Sequence, residues 1–295
     1  MFSSLVVQAV LSGVTNGVIY ALIGMGIAVI FKGSGVINAA QGEFSHIGAV
    51  VAVFAMKAAG FSYPLAFLAG ALFGVVLGIV VDVVLVRPMV RRKADEDAFL
   101  LLTIGIAYAI SAGVLFFAGR DYFTLPSIGS DGVEIVFDAT IRTHAIWVIV
   151  ACAAIVAALR FFYRKTSFGL AMMAASIDAD GAATTGINVA AMRTATYGMG
   201  GLLGALAGLL VAPIVPISYY MGLVLTLKGF CAAMIGGLTN PMGAIVGGLI
   251  LGLVESLAIV FIASAYKDVV AFGVLLIIMI LVPQGILGRR GRKGG

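Results

Sequence analysis

The first 31 residues, MFSSLVVQAVLSGVTNGVIYALIGMGIAVIF, carry no charged side chain. A helix needs about 20 apolar residues to cross the hydrocarbon of a bilayer. Comparable runs recur at 63–86, 98–119 and 144–163, and 194–287 is nearly all apolar. In lipid, only helices and closed barrels satisfy every backbone polar group. Strands of a barrel would alternate in polarity over segments of about 10 residues. These runs do not alternate, so the expected fold is all-α, a polytopic integral membrane bundle with about eight or nine membrane segments. Composition agrees: 62% of the 295 residues are hydrophobic and 11% charged, against about 25% charged in soluble domains.

Two segments read as weaker spans. Residues 36–57 and 223–238 are rich in Gly and Ala, and either could be a full span or a half-helix or re-entrant segment. The stretch 87–97, RPMVRRKADED, reads as an aqueous loop. So does 120–143, which holds Asp121, Asp131, Glu134 and Asp138 against Arg120 and Arg142. Basic residues mark cytoplasmic loops. Arg87, Arg91, Arg92 and Lys93 form one cluster; Arg160, Arg164, Lys165 and Arg193 a second; Arg289, Arg290, Arg292 and Lys293 a third. All three are expected in the cytoplasm. The loop about 120–143 is then external, the N-terminus outside and the C-terminus cytoplasmic. The net charge of +5 needs no nucleic acid to explain it.

Glycines at four-residue spacing (Gly70, Gly74 and Gly78; Gly200, Gly204 and Gly208; Gly243 and Gly247; Gly248 and Gly252) read as packing stripes that let helix backbones approach closely. Cys152 and Cys231 lie in apolar runs and read as small core residues. No Gly-Lys-Ser/Thr sequence occurs, so no phosphate-cradling loop is present. No paired-Cys or His-Glu-x-x-His metal motif exists. No catalytic, cofactor or metal site is expected in the chain. Work against a gradient must draw on an ion gradient or a partner ATPase.

The polar residues inside apolar surroundings are few. Between 38 and 46 stand Asn38, Gln41, Glu43, Ser45 and His46. At 100° per residue, Asn38, Gln41 and Ser45 share a small polar face with Gly42, Gly48, Ala49 and Ala52. Phe44, Ile47, Val50, Val51 and Phe54 lie opposite. Glu43 and His46, three apart, flank that face and could pair. Glu255 lies within GGLILGLVESLAIVF. Ionisable groups in a membrane are costly and are functional candidates by default, so these residues read as a solute pathway or gate; Glu43, His46 and Glu255 alternatively read as a proton relay of a secondary carrier. Lys228 could snorkel from either helix end, and Asp82 reads as an interfacial partner of Arg87. The segment about 164–193, Ala-rich and turning near Asp180 and Gly186, reads as helix, turn and helix, suited to docking another protein.

The pattern GVTNGVIYALIGMGIAVIFKGSGVINAAQGEFSHIGA resembles the permease subunits of branched-chain amino acid ABC importers, the LivH type. SFGLAMMAASIDADGAATTGIN, LKGFCAAMIGGLTNPMGAIVGGLILGLVE and VPQGILG extend the resemblance over essentially the whole chain. Met173 departs from a position usually basic in that family, and Val282 from one where Arg is common. The resemblance implies a single permease domain over 1–295 in the bacterial inner membrane. It implies a second homologous permease, two cytoplasmic ATPases that bind ATP and Mg, and a periplasmic or lipid-anchored binding protein that delivers a small solute. It also implies that Ser167, Gly169, Asp180, Ala182, Gly186 and Ile187 couple the chain to the ATPases. Branched-chain or other hydrophobic amino acids are the expected solutes; urea, amides and aromatic or organic acids are the alternatives within the wider family.

Overall fold

A computed structural model describes residues 2–129, 132–136 and 139–288. The four basic residues of the tail, with Asp131 and Asp138, lie outside the described residues. The chain forms α1 (Phe2–Ser34), α2 (Gln41–Lys57), α3 (Tyr63–Val80), a π-helical turn (Val81–Val86), α4 (Arg87–Arg91) and α5 (Glu96–Ala118). A hairpin follows, β1 (Val133–Val136) and β2 (Ala139–Arg142). Then come α6 (Thr143–Lys165), α7 (Ser167–Ile177), α8 (Ala179–Thr184), α9 (Val189–Val211), α10 (Met221–Gly236), α11 (Gly243–Phe261) and α12 (Lys267–Leu281). Seven helices among the described residues are long and apolar enough to cross a membrane. α2 and α10, at 17 and 16 residues, are shorter.

Two loop expectations change. The helix through α3 does not stop at Arg87 but continues to Arg91. A proline in a helix lacks one N–H and clashes with the carbonyl four residues earlier. The wider π turn just before Pro88 gives that ring room, so the aqueous loop shrinks to the residues between Arg91 and Glu96. The polar segment 120–143 contains an antiparallel hairpin that pairs Val133 with Arg142 and Ile135 with Thr140. Its β-branched residues, Val133, Ile135, Val136, Thr140 and Ile141, favour a strand.

The glycine stripes are contact faces. A Cβ on Gly13 or Gly17 of α1 would meet the backbone of Leu253, Gly248 or Leu249 on α11. Gly74 and Gly78 of α3 lie against Gly201 and Tyr197 of α9. Both pairs run antiparallel, because rising numbers on one helix meet falling numbers on the other. Cys152 and Cys231 are buried free thiols.

The same contacts expose an inverted repeat. α1 is followed by an irregular stretch, then the short α2, then α3. α9 is followed by an irregular stretch with Pro213 and Pro216, then the short α10, then α11. Gly26 of α1 meets the Gln41 side chain, and Gln41 reaches Gly200 of α9. α2 therefore begins about 12 Å inside the C-terminal end of α1, at 1.5 Å per residue. α2 runs parallel to α9, and α10 antiparallel to α11, so α2 and α10 point away from each other with their N-terminal turns adjacent. Paired short helices in inverted halves are a transporter design that places helix ends inside the bundle.

Candidate functional site

A helix start inside a bundle leaves backbone N–H groups that need acceptors. Three N–H groups in and just before the first turn of α2 find side-chain acceptors, and the Glu43 and Phe44 N–H groups donate to the Ala40 carbonyl. Asn38 Oδ1 accepts from the Ala40 N–H at 3.1 Å, and Thr103 Oγ1 of α5 accepts from the Ala39 N–H at 3.2 Å. The Gly42 N–H donates to Thr226 Oγ1 of α10 at 2.9 Å, while that hydroxyl donates to the Gly222 carbonyl at 3.0 Å. Gln41 Nε2 donates to the Gly200 carbonyl at 2.8 Å, and Asn38 Nδ2 donates to Gln41 Oε1 at 3.4 Å. Gly42 and Gly222 allow this approach: a Cβ on Gly42 would strike the Gly222 carbonyl, and one on Gly222 would strike the Glu43 carboxyl group.

Glu43 sits in the first turn of α2 and faces the first turn of α10. The partial positive ends of both helices thus lie near its carboxyl group. Ser111 Oγ of α5 donates to Glu43 Oε1 at 2.9 Å, and His46 Nδ1 lies 3.1 Å from Oε2. Glu43 and His46 are each 1% exposed. His46 Nε2 and Ser45 Oγ have no hydrogen-bond partner. Glu43 also lines a pocket of about 380 Å³ between α2, α5 and α10, walled by Ile104, Ala107, Tyr108, Tyr219, Leu223 and Leu227 among others. Tyr108, Leu223 and Leu227 are exposed on that face.

Two further buried acids have cationic partners. Asp82 in the π turn meets Arg193 Nε at 2.8 Å and Arg87 at 3.8 Å, and the Thr194 hydroxyl donates to it at 2.6 Å. Glu255 of α11 meets Lys228 of α10 at 3.1 Å and Lys267 at 3.9 Å. Lys228 also pairs with Asp268 and stands 5.9 Å from the ring centres of Tyr20 and Phe272. Lys228 therefore does not snorkel to a surface; it ties α10 to α11 and α12.

The segment 164–193 holds the end of α6, then α7, the short α8 and the start of α9; Asp180 lies inside α8, and the turn falls at residues 185–188 around Gly186. Thr166, Asp178 and Asn188 each cap a helix by accepting from the backbone N–H of Gly169, Gly181 and Ala191 at 3.0, 2.9 and 3.0 Å. Gly186 has φ +86°, a conformation that L side chains adopt with strain. Ser167 and Asp180 are exposed, Gly169 and Ala182 buried, and Ile187 half-buried. Phe168, Leu170 and Ile177 are exposed apolar side chains on the same segment.

The structure divides the residues singled out in the sequence. Gln41 and Ser45 lie against α9, where Gly204 and Gly208 leave room for them. Asn38 is not on the helical face expected of it, because α2 starts at Gln41 and Asn38 instead bonds the turn before it. Glu43 and His46 do pair, and Glu43 reaches the pocket. Glu255 lies apart from them, on the α10–α11–α12 cluster. Thr103, Ser111 and Thr226 complete the helix starts and were not singled out, since one hydroxyl in an apolar run gives no pattern to read.

Comparison with known proteins follows this architecture. The family model described as "Branched-chain amino acid transport system / permease component" matches residues 9–279. The high-affinity branched-chain amino acid transport system permease protein LivH of Salmonella typhimurium is 32% identical, covering 96% of this chain and 95% of the relative. The corresponding protein BraD of Pseudomonas aeruginosa is 28% identical, with the same coverage of 96% and 95%. The galactofuranose transporter permease protein YtfT of Escherichia coli is 30% identical over 79% of this chain and 67% of its own length. No solved structure matches the chain significantly.

Proposed function

This chain belongs to the family of branched-chain amino acid transport permease components, and we propose that it forms, with a second homologous permease, the membrane pathway of an ATP-driven importer of branched-chain or other hydrophobic amino acids. It is a multi-pass protein of the bacterial inner membrane. The observation that carries the pathway reading is the meeting of two short helices inside the bundle, beside a pocket that holds a buried acid. Irregular backbone at membrane depth is tolerated where it lines a cavity or is buried in protein, and helix starts at such a place are where transporters hold solutes.

In this reading the ends bearing Arg87–Lys93 and Arg160–Lys165 face the cytoplasm, as basic residues near spans do. The N-terminus and the hairpin then lie outside. Two partner ATPases bind ATP and Mg and dock on α7 and α8, where Phe168, Leu170 and Ile177 offer apolar surface around Asp180. Arg193 begins the link inward: it follows the docking segment on α9 and holds Asp82 of the π turn. A push on α7–α8 thus reaches the α3–α9 pair directly. A binding protein on the other side delivers the solute. Alternating access follows from partners that bind one arrangement of the permease pair better than the other.

The test is reconstitution. Vesicles that contain this chain, its homologous permease, the ATPases and the binding protein are expected to take up L-leucine only with ATP. Uptake by vesicles containing this chain alone, or uptake that follows a proton gradient without ATP, would overturn the reading. Replacing Asp180 and Gly186 together is expected to leave the complex assembled, with ATP hydrolysis no longer tied to uptake.

A further inference from the structure

We propose that the pocket between α2, α5 and α10 binds the ammonium group of the solute, with the Glu43 carboxylate as its acceptor; the proposal rests on the permease reading above. The argument starts from the charge of the interior. Among the described residues, three carboxylates are buried: Glu43, Asp82 and Glu255. Asp82 is matched by Arg193 and Arg87, and Glu255 by Lys228 and Lys267. Glu43 alone has no Lys or Arg partner; its contacts are one hydroxyl and one imidazole nitrogen. A buried charge is stable when paired. Glu43 also lines a pocket. The His46 imidazole and the two helix starts are its stabilisers within the chain, and the pocket is the side from which a full cationic partner can reach it.

The geometry fits a primary ammonium compound with an apolar body. Ser111 and His46 occupy one lone-pair direction on each carboxylate oxygen, and a carboxylate accepts about four hydrogen bonds. The positions left over can take an ammonium's donors. Ile104, Ala107, Leu223 and Leu227 supply apolar wall. Tyr108, Tyr219 and Tyr220 stand in the same wall and widen the apolar surface offered to the body of the solute. A free organic acid has no group for Glu43 and would set two like charges together. The pocket thus discriminates against acids and favours amines, which separates amino acids from the organic acids carried elsewhere in the family.

The experiment measures equilibrium binding of radiolabelled L-leucine to the purified permease–ATPase complex without its binding protein. Three competitors share one branched apolar chain: L-leucine, its decarboxylated form 3-methylbutylamine, and its deaminated form 4-methylpentanoate. The amine is expected to displace label and the acid is not. Glu43→Gln is expected to weaken binding about 10- to 100-fold, the loss of a charge-assisted hydrogen bond. Ser111→Ala, which keeps the carboxylate, is expected to weaken it only a few-fold. If Glu43→Gln fails to assemble, the competitor series on the unaltered complex still decides. Equal displacement by amine and acid, wild-type binding by Glu43→Gln, or no saturable binding to the unaltered complex would each overturn the ammonium site. ATP-driven uptake by the same preparation reports separately: uptake without amine selectivity sinks this site alone, and no ATP-driven uptake sinks the permease reading.

Discussion

Lys228→Met is expected to damage the bundle more than Lys228→Met combined with Glu255→Gln. Lys228 and Glu255 lie 3.1 Å apart with side chains 6% and 5% exposed. Removing one member of a buried pair costs about 3–5 kcal/mol, because the other charge is left without its partner. Lys267 at 3.9 Å is 40% exposed and offsets part of that cost. Asp268 adds little, since its side chain is 52% exposed and can turn to water. The single variant should therefore lose about 3 kcal/mol, at the lower end of the range. Neutralising both members removes the orphaned charge, and such double replacements are often close to neutral. Detergent-purified protein would be unfolded by SDS titration and followed by loss of helical circular dichroism. A loss below about 1 kcal/mol in the single variant, the level of a solvent-exposed pair, would refute the reasoning. So would a double variant as unstable as the single one.

Other substitutions probe the packing and the helix starts. Gly208→Val places a side chain against the Ser45 carbonyl and should cost at least about 1–3 kcal/mol as overpacking; Gly105→Ala, with open space around it, should cost nothing in the same unfolding titration. Thr226→Val leaves the Gly42 N–H without its acceptor, with an expected loss of about 1–3 kcal/mol and slower uptake. Asp178→Ala removes the cap of α8, worth about 1 kcal/mol, and limited proteolysis between residues 178 and 188 should speed up while the membrane helices stay intact. Gln41→Leu removes the bond to Gly200 and should reduce uptake by the reconstituted complex; unchanged kinetics would assign Gln41 to packing alone.

Much of the bundle is written in the sequence as run length. The seven described helices long and apolar enough to cross a membrane follow from long apolar stretches, and the glycine stripes mark contact faces between helices. The Gly- and Ala-rich stretches 36–57 and 223–238 leave a full span or a half-helix open in the sequence; they hold the short helices α2 and α10, whose N-terminal turns meet inside the bundle. The end of the α3 helix was less legible. Proline and four basic residues read as a loop, yet a π turn carries the helix past Pro88. The hairpin was hidden because its short strands lie among polar residues. Asp82 and Arg87, five residues apart, were readable as a pair; Lys228 and Glu255, or Asp82 and Arg193, are distant in sequence and meet only because α10 packs on α11 and α3 on α9. Glu43 and His46 were readable as a pair by their three-residue spacing on one helix. That Glu43, and not Gln41 or Ser45, faces the pocket depends on where α2 begins, three residues later than the polar pattern suggests.

The most direct test asks whether the α10 face beside Glu43 is wet in the assembled transporter. In a background with Cys152 and Cys231 replaced by Ala, single cysteines would be placed at Leu223 on α10 and Val76 on α3, both exposed apolar positions. A membrane-impermeant thiol reagent is applied to the complex in vesicles, with and without ATP and solute. The account expects Leu223→Cys to be labelled at a rate that changes with ATP and falls with L-leucine, and Val76→Cys to stay unlabelled in lipid. Labelling at Val76→Cys with none at Leu223→Cys in any state would contradict it.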